Sequence, residues 1–158
     1  MKVLLSLSTD AEHGRALTET GYWGRAGAGC MVRAQDTGRY LLPLRSKRVQ
    51  DPLTWGTWGG AIDANEDAGK AALRELQEEA KYKGEVISVK QLYVFRDKTF
   101  QYTTFLVTVP HEFKPELNWE TLRSKWFNLD SFPSNLHKGL KAIMSDPNAR
   151  KLLRNNND

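Results

Sequence analysis

The segment that most constrains this chain is Gly60, five residues, Glu66, seven residues, then Arg74-Glu75-Leu76-Gln77-Glu78-Glu79. From Glu66 to about Ala80 the residues are mainly Ala, Leu, Glu, Gln and Arg, good helix formers, and Gly69 is the one obvious defect. At about 100° per residue Glu75, Glu78 and Glu79 share one face, because i,i+3 and i,i+4 positions are neighbours on a helix. Leu73 and Leu76, with Ala72 between them on the wheel, form an apolar stripe that would seat this helix on a sheet. Like charges this close cost about 0.2–0.5 kcal/mol per exposed pair, and more as water is excluded. Two readings are open: a solvated face that keeps the helix soluble, or an oxygen-rich cation site. The second suits Mg2+, with Mn2+ as a substitute, when substrate phosphates supply the remaining ligands. Gly59-Gly60 permits a close backbone approach before the helix, although a simple turn explains the pair equally well.

What surrounds the helix reads mostly as strand. Cys30-Met31-Val32 and Tyr40-Leu41-Leu42 form a hairpin around Asp36-Thr37-Gly38. Ser46 to Thr57 is a loop containing Asp51-Pro52, and Trp58-Gly59-Gly60 closes a short strand. Val86 to Arg96 and Thr99 to Val109 are rich in β-branched and aromatic residues, with Asp97-Lys98 between them, and so form two neighbouring strands. Lys125 to Leu129 is a further strand. Ser134 or Asn135 caps a final helix through Leu136, Leu140 and Ile143 toward Met144. The expected division is an N-terminal extension over 1–25, with a short strand at Lys2 to Ser8, one domain over 26–150, and a frayed tail over 151–158.

The 158 residues, 40 % apolar and 27 % charged, suffice for one domain and exclude a multidomain machine. Lys and Arg total 23 against 19 acidic residues, a net charge of +4 that permits anionic substrates without forming a nucleic-acid stripe. The single cysteine, Cys30, forms neither an internal disulfide nor a cysteine zinc cluster, and on a strand it reads as a small buried side chain. No apolar run is long enough to cross a bilayer and no signal-peptide cleavage region follows the short start, so a cytoplasmic protein without a membrane partner is expected.

The spacing of Gly60, Glu66, Arg74, Glu75, Leu76, Glu78 and Glu79 resembles the box of the Nudix hydrolase family, the MutT-like enzymes. Six specified polar or glycine positions match, a coincidence of roughly one in ten million per starting point at about 7 % per residue. Two positions depart: the box glycine falls on Lys81 and the following apolar residue on Tyr82. Lysine enters the left-handed helix cap reluctantly, so Gly84 is an alternative end for the segment.

The resemblance implies an α/β fold, an α/β/α sandwich around a mixed sheet. It also implies metal-dependent hydrolysis of a phosphoanhydride bond in a nucleoside diphosphate derivative, a nucleotide-binding module with little hydrolysis being the alternative. It assigns the Mg2+ or Mn2+ ligands to Glu75 and Glu79 with help from Glu78, and makes Gly60, Glu66 and Arg74 the supports, with Arg74 paired to Glu66. Glu120 becomes the candidate general base, with Glu112 and Glu116 as competitors. Arg45, ahead of Lys47 and Arg48, is placed to receive a phosphate. Trp58 is a substrate-binding candidate among the aromatics Trp55, Phe95, Phe100 and Tyr102, and His137, near the start of the final helix, is a cap or surface histidine, the alternative being a ligand at the site mouth. The expected partner is a nucleotide or nucleoside-diphosphate-linked small molecule, nucleic acid only as a capped or polyphosphorylated 5′ end, for a monomer or homodimer.

Overall fold

The protein is described by a computed structural model over residues 26–155. The expected extension over 1–25, with its strand at Lys2 to Ser8, and residues 156–158 of the tail lie outside the described residues. The elements run β1 (Ala26–Ala34), β2 (Tyr40–Arg45), β3 (Trp58–Ala61), α1 (Ala68–Ala80), β4 (Ser88–Asp97), β5 (Phe100–Val109), β6 (Thr121–Phe127), a 3-10 turn (Leu129–Ser131), α2 (Lys138–Ser145) and α3 (Pro147–Arg154).

The strands form one mixed sheet in the order β4-β5-β1-β2-β6. β1 lies parallel to β5 from Ala26 opposite Gln101 to Ala34 opposite Val109, and the other pairings are antiparallel. The second edge of β1 is shared: β3 takes Gly27 to Cys30, and β2 takes Val32 and Arg33. The sheet is therefore split between β2 and β3. β1 is buried from Gly27 to Ala34, which explains its run of small and apolar residues, broken only by the buried Arg33.

Strand pleating sends alternate residues to two cores. Ala28, Cys30, Val32, Leu41 and Val107 pack under Ala71, Ala72, Leu76 and Ala80 of α1. Met31, Leu42 and Leu106 meet Leu140 and Ile143 of α2 and Ala149 and Leu153 of α3 on the opposite face. Each fully buried Leu, Ile or Met contributes about 1.5–3 kcal/mol. The α/β/α layering of the sequence reading is thus present. Among the described residues no helix is long and apolar enough to cross a membrane.

Several boundaries differ from the expectations. α1 starts after Asp67, whose carboxylate accepts from the Lys70 N–H at 3.2 Å, two residues later than the sequence suggests. It ends at Lys81, which takes the left-handed conformation itself (φ 57°), while its ammonium donates to the Glu78 carbonyl at 2.8 Å. Gly84 does not end it. The final helix is two helices: His137, not Ser134 or Asn135, caps α2, and Asp146 caps α3 by accepting from the Ala149 N–H at 2.8 Å. Asn135 instead donates to the Leu53 carbonyl at 3.0 Å. The tail expected to fray from 151 is helical to Arg154, because Leu153 is buried and buried Arg33 donates to the Asn155 carbonyl at 2.8 Å. The domain therefore continues past residue 150. β6 begins at Thr121 rather than Lys125; its first half, Thr121 to Ser124, holds one apolar residue, Leu122, which is exposed, and so is silent in hydropathy.

Candidate active site

β3 delivers the chain from the sheet into the loop that precedes α1, and α1 returns beneath β3. The approach is close enough that a Cβ on Gly60 would stand 2.7 Å from Oε2 of Glu75. Glu75 is 5 % exposed. One turn on, Oε1 of Glu79 accepts from the Gly59 N–H at 2.9 Å. Both glycines are thus required by side chains of the acidic helix or by neighbouring strand backbone.

Arg74 organises the rest. Its Nε and Nη2 donate to the two oxygens of Glu66 at 2.8 and 2.9 Å, and Nη2 also reaches the Ala61 carbonyl at 3.0 Å. Its Nη1 donates to Glu75 at 3.1 Å and to Glu78 at 3.3 Å, and Asp63 lies 3.5 Å from Nε. Asp63, which sequence reasoning passed over, also donates its N–H to Glu66 at 3.1 Å. The Asp63-x-x-Glu66 spacing was its available signal, since an acidic side chain three residues on can accept a backbone N–H across a turn.

One guanidinium is too little positive charge for this cluster. Burial, and then the charges of Glu78 and Glu120 acting against Arg74, push Glu75 up to about 8. Burial first, then Glu75 and Glu120, raises Glu79 well above the usual carboxylate range, with the Gly59 N–H opposing. Each upward shift is a measure of how poorly the ionised form is accommodated.

Glu120 acts on both residues although it lies far along the chain. The β2–β6 ladder sets Arg45 opposite Thr121, and the Ser46 N–H donates to the Glu120 carbonyl at 2.9 Å, so Glu120 closes next to Arg45. Asn118 supports the turn by accepting from the Glu120 N–H at 2.9 Å. The competitors lie elsewhere. Glu112 is clamped by Arg39 through two bonds of 2.7 Å and by Thr37 at 2.7 Å, and Glu116 is exposed behind the end of α1, its N–H on the Ala80 carbonyl.

On the α2 side of the split lies a cleft of about 410 Å3, lined by Arg45, Asp51, Gly59, Tyr93, Phe95, Phe100, Tyr102, His137 and Lys138 among others. Arg45 is half-buried there, its Nε on the Gln50 carbonyl at 2.8 Å. Burial lowers its pKa while Asp51, Glu79 and Glu120 oppose the shift. Lys47 and Arg48 are exposed and do not line the cleft.

Trp58 requires a correction. It is 1 % exposed, points into the core under α1, and its indole N–H donates to the Leu41 carbonyl at 3.0 Å, so it does not reach a substrate. Alternation decides this: Trp58 and Gly60 face α1, whereas Gly59 faces the cleft. Trp55 is also core, packed edge-on against Phe127 at 5.0 Å. Phe95, 40 % exposed, is the aromatic most open to the cleft. His137 caps α2 through Nδ1, which accepts from the Gly139 N–H at 3.1 Å, so the ring proton sits on Nε2, 3.3 Å from Asp51. The sequence offered no signal for the Asp51 contact, which depends on where a loop folds back.

Among the described residues no three His, Cys, Asp or Glu side chains form a ready-made metal cage, and Arg74 lies between Glu75 and Glu78. The donor set nevertheless fits a hard divalent cation: the donors are all carboxylate oxygens, and Glu75 and Glu79 carry ionisation penalties that added positive charge would relieve.

An acidic helix lies under a glycine strand, beside a basic and aromatic cleft in an α/β/α sandwich. The chain belongs to the Nudix family, with residues 23–147 matching the NUDIX domain. It is 36 % identical over 115 residues to a Mycobacterium tuberculosis protein named "Putative 8-oxo-dGTP diphosphatase 3", covering 62 % of this chain and 53 % of that one. It is 42 % identical over 82 residues to a Saccharomyces cerevisiae ADP-ribose pyrophosphatase, covering 50 % of this chain and 35 % of the relative. The chain thus spans about half the length, or less, of these two relatives. The crystal structure of a MutT NUDIX hydrolase from Burkholderia pseudomallei superposes with a TM-score of 0.61 at 24 % identity, over 76 % of this chain and 95 % of that one, a likeness of fold.

Proposed function

We propose that the protein hydrolyses a phosphoanhydride bond in a nucleoside diphosphate derivative and that the reaction depends on Mg2+, with Mn2+ as a substitute. The observation that carries this reading is the pair Glu75, buried, and Glu79, half-buried, crowded and short of positive charge, with Glu79 held by the N–H of Gly59, which lines a cleft that offers Arg45 and aromatic rings. Glu75 and Glu79, with Glu78, are the residues that would hold the metal, which when bound offsets phosphate charge and lowers the pKa of bound water.

The chain's own residues have separate tasks. Arg74 and Glu66 lock the loop to α1 and hold the carboxylates in place; a displacement of about 1 Å suffices to impair orientation strongly. Arg45 receives a phosphate, Phe95 and Phe100 flank a base, and Glu120 accepts the proton of the attacking water or orients it. Water oxygen bonds to one phosphorus, the P–O–P bond breaks, and the leaving phosphate carries the electron pair away.

The test is a panel of nucleoside triphosphates, dinucleoside polyphosphates, nucleotide sugars, ADP-ribose and a 5′-triphosphorylated RNA, each with Mg2+ or Mn2+. Products are separated and quantified, which locates the broken bond. Metal-dependent cleavage of at least one substrate class is expected. Binding without turnover across the panel overturns the reading in favour of a nucleotide-binding module.

A further inference from the structure

β1 and β3 carry three glycines on the face turned away from α1: Gly27, Gly29 and Gly59. Their alternation with Ala28, Cys30 and Trp58, all packed in the α1 core, fixes that direction. Glycine in a strand interior weakens the strand, so three on adjoining strands call for a reason. Part of it is backbone: a Cβ on Gly29 would stand 2.3 Å from the Trp58 carbonyl, and one on Gly59 would stand 2.6 Å from the Ala28 carbonyl.

The remainder is Tyr102. A Cβ on Gly27 would meet its ring at 2.6 and 2.9 Å, while Cβ atoms on Gly29 and Gly59 would meet its hydroxyl at 2.5 and 2.1 Å. The parallel register places Tyr102 beside Gly27. The ring therefore lies flat over the glycine strip and runs along it, so that the hydroxyl arrives at Gly59, whose N–H holds Glu79. The split between β2 and β3 opens at this point, and Arg45, Gly59 and Tyr102 line the cleft there together.

At Gly27 the only contacts under 3 Å are with the Tyr102 ring. No hydrogen bond joins the Tyr102 hydroxyl to another described residue. The hydroxyl thus stands beside the residue that holds Glu79, in a cleft that Arg45 also lines, and the charges of Glu79, Glu75 and Arg45 all act on it.

We infer that the Tyr102 hydroxyl is a substrate contact, donating a hydrogen bond to a non-bridging phosphate oxygen held between Arg45 and the Glu75–Glu79 pair. A phenol donor suits this place: it grips an anionic oxygen without adding a charge beside Arg45, and its rigid ring positions the hydroxyl at little entropic cost. The inference rests on the proposed phosphoanhydride reading and adds a residue to it.

Tyr102→Phe keeps the ring over the glycines and removes only the donor. With a substrate selected by the panel, kcat/KM is expected to fall about 10- to 50-fold while the Tm stays within about 2 °C of wild type, because hydrogen bonds to charged groups are the strong ones. Calorimetric titration supplies a readout independent of turnover. ADP with Mg2+ should bind Tyr102→Phe several-fold more weakly, whereas adenosine, which has no phosphate, should bind both proteins equally. In the Tyr102→Phe background, Gly27→Ala should cost no further activity, although alone it lowers activity by displacing the hydroxyl. Wild-type kinetics and ADP affinity in Tyr102→Phe overturn this inference and leave the proposed reaction intact. Failure of the wild type both to turn over the panel and to bind ADP overturns both.

Discussion

Two guanidinium–carboxylate assemblies in this domain start from the same chemistry and end in opposite electrostatic states. At the β1–β2 turn, Arg39 holds Glu112 through two bonds of 2.7 Å and Thr37 adds a third, one cation to one anion. Those bonds favour the ionised form and lower the pKa of Glu112. Beneath β3, Arg74 is divided among Glu66, Glu75, Glu78 and the more distant Asp63, Glu79 stands beyond it, and Glu75 rises to about 8. A paired carboxylate is structure. A crowded set with too few cations is the environment the proposed metal site calls for, and the difference shows as the direction of the shift.

The strongest way to break this comparison is to remove one charge from the crowded set. Glu79→Gln keeps the size and the acceptor for the Gly59 N–H but loses a charge of the proposed metal site, so turnover should fall at least about 100-fold. The same substitution relieves like-charge crowding, so in chelator the variant should melt at or above the wild-type temperature. Parallel kinetics, near-UV circular dichroism and melting curves check both effects. Near-normal turnover in a folded variant would remove Glu79 from the essential set.

A smaller loss is expected from Arg74→Lys. Arg74 spreads its donors over Glu66, Glu75, Glu78 and the Ala61 carbonyl, and an ammonium cannot reproduce that fork. Turnover should fall about 10-fold through loosened carboxylates, with the circular dichroism spectrum kept. Arg39→Lys, applied to the satisfied pair, should leave turnover unchanged. Equal effects of the two substitutions would erase the distinction between the assemblies.

The acidic helix was legible because helical spacing is a local rule: three carboxylates at 75, 78 and 79 share a face whatever the rest of the chain does. Glu120 was reachable only by resemblance, since its approach depends on the β2–β6 register. Trp58 misled because an aromatic near the acidic helix serves equally as a stacking surface or as core, and only the pleat, set by pairing with β1, turns it inward. The end of the chain misled in a different way: the Asn-rich terminus suggested fraying, while Asp146-Pro147, a capping residue followed by a helix-starting proline, already signalled α3. The cleft residues Asp51, Tyr102 and His137 come from three separate segments, a convergence that periodicity does not encode.

Stability against pH sharpens the comparison through the sign of each shift. A carboxylate whose folded pKa is raised binds more protons folded than unfolded, so its contribution is fully present below the unfolded value and is lost as pH rises toward the folded one. For Glu75 that loss runs up to about 8. In chelator, the melting temperature of Glu75→Gln relative to wild type should therefore climb by several degrees from about pH 5 to about pH 8.5. Excess Mg2+ should close the gap by stabilising the wild type. A difference independent of pH would mean that Glu75 ionises as easily as a surface glutamate.

The smallest effect belongs to the satisfied pair and must carry the opposite sign. Glu112 has a lowered pKa, so its contribution is fully present above the unfolded carboxylate value and is lost as pH falls through the folded one. Glu112→Gln removes the anion but leaves an oxygen for Thr37 or Arg39, and the pair faces solvent, where ion pairs contribute little. A melting temperature lower by about 1–3 °C is expected at neutral pH, shrinking in high salt and vanishing in acid where wild-type Glu112 is itself protonated. Turnover should not change, because Arg39 and Thr37 hold Glu112 at the β1–β2 turn and away from the carboxylates of α1. The two melting profiles then run in opposite directions, one variant gaining on the wild type as pH rises and the other falling behind. If Glu112→Gln instead melted above wild type near pH 8, the Arg39 pair would be as frustrated as the Arg74 cluster, and the direction of a carboxylate's shift would no longer separate a structural ion pair from a binding site.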